Sequence, residues 1–120
     1  MDRFQLYIDG AFEDGAARFP SIDPATGTPW ADMPEARAAD VDRAVSAAER
    51  AFRTGAWPKM TASQRGKLLL KLADLVQAAA PELARLETRD TGKIIRETTA
   101  QIAYVRSVLA DIRAKAFRSL

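Results

Sequence analysis

Two residue types that the sequence lacks restrict the chemistry open to it. Its 120 residues include no cysteine and no histidine. Without a thiol there is no disulfide framework, no Cys-ligated zinc or iron–sulfur site, and no thiolate nucleophile. Without an imidazole there is no His-based triad, and both the commonest metal ligand and the usual pH 7 switch are missing. Most thiol and imidazole chemistry is therefore excluded for this chain acting alone.

The remaining candidate side chains favour structural roles. Lys93 follows Gly92, which is predicted to end a helix, so its ammonium is expected to be solvated rather than nucleophilic. Ser63 and Ser107 have no base to activate them, and Tyr104 is expected to be packed. Neither GxGxxG nor GxxxxGK[ST] occurs, so no phosphate loop is predicted. Three acids are expected to be solvated helix residues: Glu82, Glu87 and Glu97.

Composition and charge favour an ordinary globular protein. Apolar residues make up 48% and charged residues 28% of the chain, and the net charge is +2. Residues 1–60 carry a net −3 and residues 61–120 a net +5, with acids interleaved among the bases. We therefore expect no nucleic-acid partner. The absence of a long apolar run and of a signal-like N-terminus predicts a cytoplasmic protein without a membrane span.

A C-terminal basic helix offers a weak alternative, in which the chain binds a membrane surface. That helix lacks a wide aromatic face, so we do not expect membrane binding. The basic residues in question are Arg106, Arg113, Lys115 and Arg118.

The elements that must position these residues begin with short strands. Apolar and polar residues alternate over 4–9, and Asp9-Gly10 predicts a tight hairpin turn. Residues 18–22 are expected to extend again and to end in a turn at 23–27. The two tryptophans, Trp30 and Trp57, each stand beside a proline and are expected to fill cores.

The first predicted helix starts near residue 39, and Gly55 is predicted to stop it in a left-handed conformation. Its apolar residues fall on one helical face. They are Val41, Ala44, Val45, Ala48, Ala51 and Phe52.

Three further helices are predicted. Thr61 and Gln64 form a capping box before a leucine-rich helix, and Pro81 suits the first turn of the next, which Gly92 ends. The leucine-rich helix carries Leu68, Leu69, Leu72, Leu75 and Val76, and the following one carries Leu83 and Leu86. A last helix from about Ile95 has the stripe Ile95, Thr99, Ile102, Val105, Leu109, Ile112 and Ala116.

The predicted fold class is α+β, with a short N-terminal β-hairpin followed by about four helices. The strand-forming region covers 4–30 and the helical region 39–118. The hairpin has no obvious sheet to join, and the last apolar stripe continues almost to the end without a cap. These features predict an incomplete lobe that packs on further protein.

Five segments resemble the N-terminal region of the aldehyde dehydrogenase superfamily, in the family's order and with near-family spacing. Residues 6–12 resemble its opening hairpin, and 22–27 resemble its INPATG turn, with Asp23 in place of Asn. The helix over 40–52, the segment 57–65 and the Asp90-Thr91-Gly92-Lys93 motif complete the resemblance. Two departures are Ile94, where the family usually has Pro, and the absence of an aromatic-rich helix end after Val105.

The resemblance implies a full-length enzyme that oxidises aldehydes to carboxylic acids with NAD or NADP. Such an enzyme uses a Cys thiolate on the carbonyl, hydride transfer to the nicotinamide, and a Glu-activated water that hydrolyses the thioester. The family's catalytic Cys and Glu and its dinucleotide-binding residues lie downstream of the resembling segments. This chain is therefore expected to be a truncated, inactive fragment that binds no dinucleotide alone. It would pack on the rest of the fold, and full-length relatives are expected to be homo-oligomers.

The resemblance also implies one metal site, for a monovalent cation such as K⁺ or Na⁺. The matching ligands are Ser21, the Ile22 carbonyl and Asp90. Oxygen ligands suit a hard cation. The competing interpretation is that Asp90 caps a chain reversal and pairs with a nearby base.

A different class of function remains open from the residues alone. The chain is then a non-catalytic helical interaction module that binds a separate polypeptide through Ile102, Val105, Leu109 and Ile112.

Overall fold

A computed structural model describes the backbone of residues 1–118 and the side chains of residues 1–112. The side chains of Arg113, Lys115, Ala116 and Arg118 therefore lie outside the described part. Contacts divide the chain into two compact units, Met1–Lys59 and a second that begins at Met60. Strands occupy the first unit and most helices the second, which confirms the α+β class.

The first unit contains five short strands and one helix. The strands are β1 Asp2–Arg3, β2 Leu6–Ile8, β3 Ala11–Glu13, β4 Ala17–Asp23 and β5 Thr28–Glu35. Helix α1 spans Ala38–Thr54, and a short 3₁₀ helix, Trp57–Lys59, follows it.

The predicted hairpin is confirmed as the antiparallel pair β2–β3. Leu6 pairs with Glu13, and Ile8 pairs with Ala11 across the two-residue turn. Asp9 and Gly10 both have positive φ, 53° and 84°, as a type I′ turn requires. The predicted alternation also holds, because residues 4, 6 and 8 are half-buried and residues 5, 7 and 9 are exposed.

A three-stranded sheet that the sequence analysis did not predict lies beside the hairpin. Its strand order is β1–β5–β4, with β5 parallel to β1 and antiparallel to β4. The strand region therefore extends to Glu35 rather than ending near residue 30. Pro29 and Pro34 make β5 hard to recognise as a strand from the sequence, because proline has no backbone N–H to donate to a neighbouring strand. Strand β1 pairs only with Ala31 and Asp32, so both prolines fall where that edge of β5 is open.

The β4–β5 connection has the predicted turn. The Gly27 N–H donates to the Asp23 carbonyl at 2.8 Å, and the Asp23 carboxylate accepts from the Ala25 N–H at 2.8 Å. Gly27 has φ of 69°, a left-handed conformation that glycine adopts without a Cβ clash.

The core of the first unit centres on Trp30, which is 5% exposed, and on the fully buried Ala31. The Trp30 ring meets Phe4 edge-on, with ring centroids 5.9 Å apart. Trp30 thus fills a core as predicted. The same prediction is wrong for Trp57, which is 46% exposed because the described residues provide no surface to cover it.

Helix α1 begins near the predicted position but buries none of its side chains. Gly55 ends the helix as predicted, but the predicted left-handed conformation is wrong, since its φ is −66° and its backbone is extended. Glycine is needed there for space instead, because a Cβ on Gly55 would collide with the Ala51 carbonyl, which accepts from the Gly55 N–H at 3.0 Å.

The second unit consists of three helices: α2 Ala62–Ala78, α3 Ala80–Thr91 and α4 Ile95–Arg118. The predicted capping box is present, because Gln64 N–H donates to Thr61 Oγ1 and Thr61 N–H donates to Gln64 Oε1 at 2.8 Å. Pro81 lies in the first turn of α3, and Gly92 ends that helix with φ of 74°, both as predicted.

Small residues fill the core of the second unit. Among the residues of this unit whose side chains are described, the buried ones are Ala73, Ala80, Ala84 and Thr98, and Gly66 is buried on α2. Thr98 Oγ1 lies 2.8 Å from Thr88 Oγ1, which joins α4 to α3 through paired hydroxyls.

The larger apolar side chains, which form the apolar faces predicted for these helices, are half-buried or exposed rather than fully buried. Leu69, Val76, Leu83, Leu86, Ile102 and Leu109 are half-buried. The exposed ones are Leu68, Leu72, Leu75, Ile95, Val105 and Ile112. Tyr104 is 67% exposed, so the prediction that it is packed is wrong.

Candidate functional site

The predicted cation ligands lie on different units. Ser21 and Ile22 lie on β4 at an irregularity in the ladder: Ser21 pairs with Ala31 and Ile22 with Pro29, which leaves one extra residue, Trp30, on β5. The Ser21 hydroxyl accepts a hydrogen bond from Trp30 Nε1 at 3.1 Å, so its position is fixed by the core.

Asp90 lies in the last turns of α3, in the second unit. Among the described residues, no group of three or more acidic side chains forms a metal site. The site of Ser21, Ile22 and Asp90 therefore stays a prediction.

Lys93 is held by polar partners. Its Nζ lies 2.9 Å from Glu87 Oε1 and 3.3 Å from Gln101 Oε1. Lys93 thus ties the end of α3 to α4.

Arg18 organises a polar cluster that the sequence analysis missed. Its Nε donates to Asp32 Oδ2 at 2.5 Å, and its Nη2 donates to the carbonyls of Phe4 and Asp32, both at 2.7 Å. Its Nη1 donates to Asp14 Oδ1 at 3.2 Å, and Asp14 also accepts from Arg3 at 3.3 Å. A guanidinium has five N–H donors in a planar fork, which lets one side chain join several segments.

A groove of about 540 Å³ lies between the β2–β3 hairpin and α1. Two ion pairs cross it. Arg43 meets Glu13 at 3.0 Å, and Arg50 meets Asp9 at 2.7 Å. The helix therefore faces its own hairpin with charged and small residues rather than with its apolar ones.

Asp40 links the start of α1 to this groove. Its carboxylate accepts from the Arg37 backbone N–H and from Arg43, both at 2.9 Å. The Arg37 hydrogen bond, followed by that from Arg43, lowers the pKa of Asp40 below its ordinary 3.8. The hydrogen bonds that Arg43 donates to Glu13 and to Asp40 correspondingly raise the pKa of Arg43.

Neutralising Asp40 is expected to cause a loss of stability that depends on pH. A carboxyl whose pKa is lower in the folded state stabilises the fold above its unfolded pKa, and that contribution disappears as pH falls through the folded value. Asp40→Asn should therefore lower the melting temperature at pH 7, and the difference from the wild type should shrink as pH falls below 3.8. Melting followed by circular dichroism at a series of pH values measures this.

Asp42→Asn is the matched control, because Asp42 is exposed on the same helix turn and should leave the melting temperature unchanged. A difference between Asp40→Asn and wild type that stays constant down to acidic pH would contradict the assignment.

A family model described as the aldehyde dehydrogenase family matches residues 12–119. The chain belongs to the aldehyde dehydrogenase family. This confirms the resemblance drawn from the five segments, and it does not favour the alternative of a separate helical interaction module.

Two relatives illustrate the match to this family. A (Z)-2-((N-methylformamido)methylene)-5-hydroxybutyrolactone dehydrogenase from Acinetobacter baylyi is 70% identical over 105 residues, which are 88% of this chain and 22% of that protein. Aldehyde dehydrogenase family 2 member B4, a mitochondrial protein from Arabidopsis thaliana, is 48% identical over 101 residues, 82% of this chain and 19% of that protein. The chain thus spans about a fifth of the length of the curated relatives it matches.

Solved aldehyde dehydrogenase structures contain the same fold. An NAD-dependent enzyme from Sinorhizobium meliloti superimposes with a TM-score of 0.91 at 34% identity, over 99% of this chain and 24% of that one. A betaine aldehyde dehydrogenase from Staphylococcus aureus in complex with NAD⁺ gives 0.86 at 34% identity, over 92% of this chain and 22% of that one. At least one structural relative of this chain therefore binds NAD⁺.

No described helix of this aldehyde dehydrogenase segment is long and apolar enough to cross a membrane.

Proposed function

We propose that this chain is the N-terminal structural lobe of an enzyme that oxidises aldehydes to carboxylic acids with NAD or NADP. One observation carries the proposal: the chain reproduces the fold of about a quarter of a solved NAD-dependent aldehyde dehydrogenase, yet contains no cysteine. A thiolate is what the family uses on the carbonyl, so the reacting groups must come from polypeptide outside these residues. The lobe therefore contributes packing surface and not catalytic side chains.

The name of the Acinetobacter relative fits this chemistry. A 5-hydroxybutyrolactone has one ring carbon that bears both a hydroxyl and the ring oxygen, so that carbon is at the oxidation level of an aldehyde. Opening of the ring exposes the aldehyde. At 70% identity, a substrate of this class is the one we favour for the complete enzyme.

The lobe's partners follow from the same proposal. They are the rest of an aldehyde dehydrogenase fold and, in the assembled enzyme, further subunits of the same kind. The resemblance further implies a monovalent cation such as K⁺ or Na⁺ in the complete enzyme, with Ser21, the Ile22 carbonyl and Asp90 as its matching oxygen ligands.

A coenzyme-reduction assay tests the proposed function. The purified 120-residue chain, given an aldehyde and either NAD or NADP, should form no reduced coenzyme. A chimaera of the Acinetobacter dehydrogenase, in which the matching 105-residue segment comes from this chain, should keep dehydrogenase activity on that enzyme's own substrate. Turnover by the isolated chain, or a folded chimaera without activity, would overturn the proposal.

A further inference from the structure

Helix α1 has its apolar side turned away from its own unit. Arg43, Ala47 and Arg50 face the hairpin, where the two arginines pair with Glu13 and Asp9. Side chains three and four residues apart share one side of a helix, so these three residues define the inner side of α1.

The outer stripe of α1 consists of Val41, Val45, Ala48 and Phe52, which follow the same spacing on the opposite side. Val41 is 52%, Val45 61% and Phe52 78% exposed. An amphipathic helix in a finished fold normally turns these residues inward. Here the order is reversed, with the charged side against the hairpin and the apolar side in solvent.

Polar residues border the outer stripe on one flank. Asp42, Glu49 and Arg53 are all exposed, and Arg53 pairs with Glu49 at 2.9 Å. An apolar centre with a charged rim is the usual composition of a specific protein contact. The stripe therefore has the character of an interface rather than of a random exposed patch.

We infer that the outer stripe is the docking surface for the catalytic remainder of an aldehyde dehydrogenase polypeptide. This inference rests on the proposed function. The length of the relatives identifies the occupant: the S. meliloti enzyme contains this fold with a TM-score of 0.91, but the fold is only 24% of that chain. Most of such a polypeptide lies outside the lobe and is available to cover α1. The stripe contains no charge, so it fits an apolar surface.

Single engineered thiols test the inference directly, because the chain has no cysteine of its own. Val45→Cys places a thiol on the stripe. Ser46→Cys places one on the next residue, which is also exposed but lines the groove on the hairpin side of α1. In the isolated chain both thiols should react with a maleimide at similar rates. In the chimaera with the Acinetobacter dehydrogenase, the thiol at 45 should react at least about tenfold more slowly than the thiol at 46.

Peptide mapping assigns the label to position 45 or 46, so the result does not depend on enzyme activity. Equal labelling of the two positions in the chimaera would overturn the docking surface, even if the chimaera is active. Protection of position 45 in the isolated chain that grows with protein concentration would also overturn it, because the occupant would then be a second copy. Loss of activity with position 45 still protected would count against the proposed function alone.

Discussion

The Trp30→Ala variant is expected to lose about 3–5 kcal/mol of unfolding free energy. Trp30 is the largest buried side chain of the first unit and is 5% exposed. Its ring meets Phe4 edge-on, and its Nε1 donates to Ser21 Oγ at 3.1 Å. Truncation to alanine removes the ring contact with Phe4 and leaves the Ser21 hydroxyl without this donor. Urea unfolding followed by far-UV circular dichroism measures the loss.

Trp57→Ala is the matched control for this variant. The same ring is removed, but from a position that is 46% exposed, so the cost should stay below about 1 kcal/mol. Trp30→Phe keeps a six-membered aromatic ring but removes the indole N–H together with the fused five-membered ring, so its loss should lie between zero and that of Trp30→Ala. Equal losses for the alanine variants at 30 and 57 would show that Trp30 is not the centre of the core.

The Arg18→Ala variant is expected to lose about 2–4 kcal/mol. Arg18 donates to Asp32 and to the Phe4 carbonyl, and thereby connects β4 to β5 and to the segment after β1. Its side chain is only 18% exposed, so removing it leaves partly buried acceptors without a donor. The same urea titration measures this loss.

Arg18→Lys tests whether the planar fork matters, because lysine keeps the charge but cannot donate in the same geometry. It should recover only part of the loss. Arg3→Ala is the control, since Arg3 is 61% exposed and pairs with Asp14 at 3.3 Å, an exposed ion pair worth at most about 1 kcal/mol. If Arg3→Ala lowered the unfolding free energy as much as Arg18→Ala, both losses would be explained by the removed positive charge and not by the hydrogen bonds of the Arg18 guanidinium.

Local chemistry made part of this fold predictable. Asp9-Gly10 determined the hairpin, Thr61 with Gln64 the start of α2, and Gly92 the end of α3, because each depends on a few neighbouring residues. Strand β1 and the Arg18 cluster were not predictable in this way. Strand β1 pairs with residues 31 and 32, far along the chain, and no short motif encodes such a pairing.

Predictions of burial failed for a different reason. Trp57 and Tyr104 were expected to be covered because of their residue types, but they are 46% and 67% exposed. Residue type predicts that a side chain tends to be covered, but not which polypeptide covers it. The cation site has a similar limit, because its ligands lie on two units and were named only through the resemblance.

A core of alanine and threonine brings the helices of the second unit close together but removes little hydrocarbon from water. Leu68, Leu72 and Leu75 remain outside it, in a row along α2. In a cell, such a row on an unassembled copy is a signal that chaperones and proteases recognise. The lifetime of a free copy would therefore be determined less by its own fold than by how quickly it reaches a larger assembly.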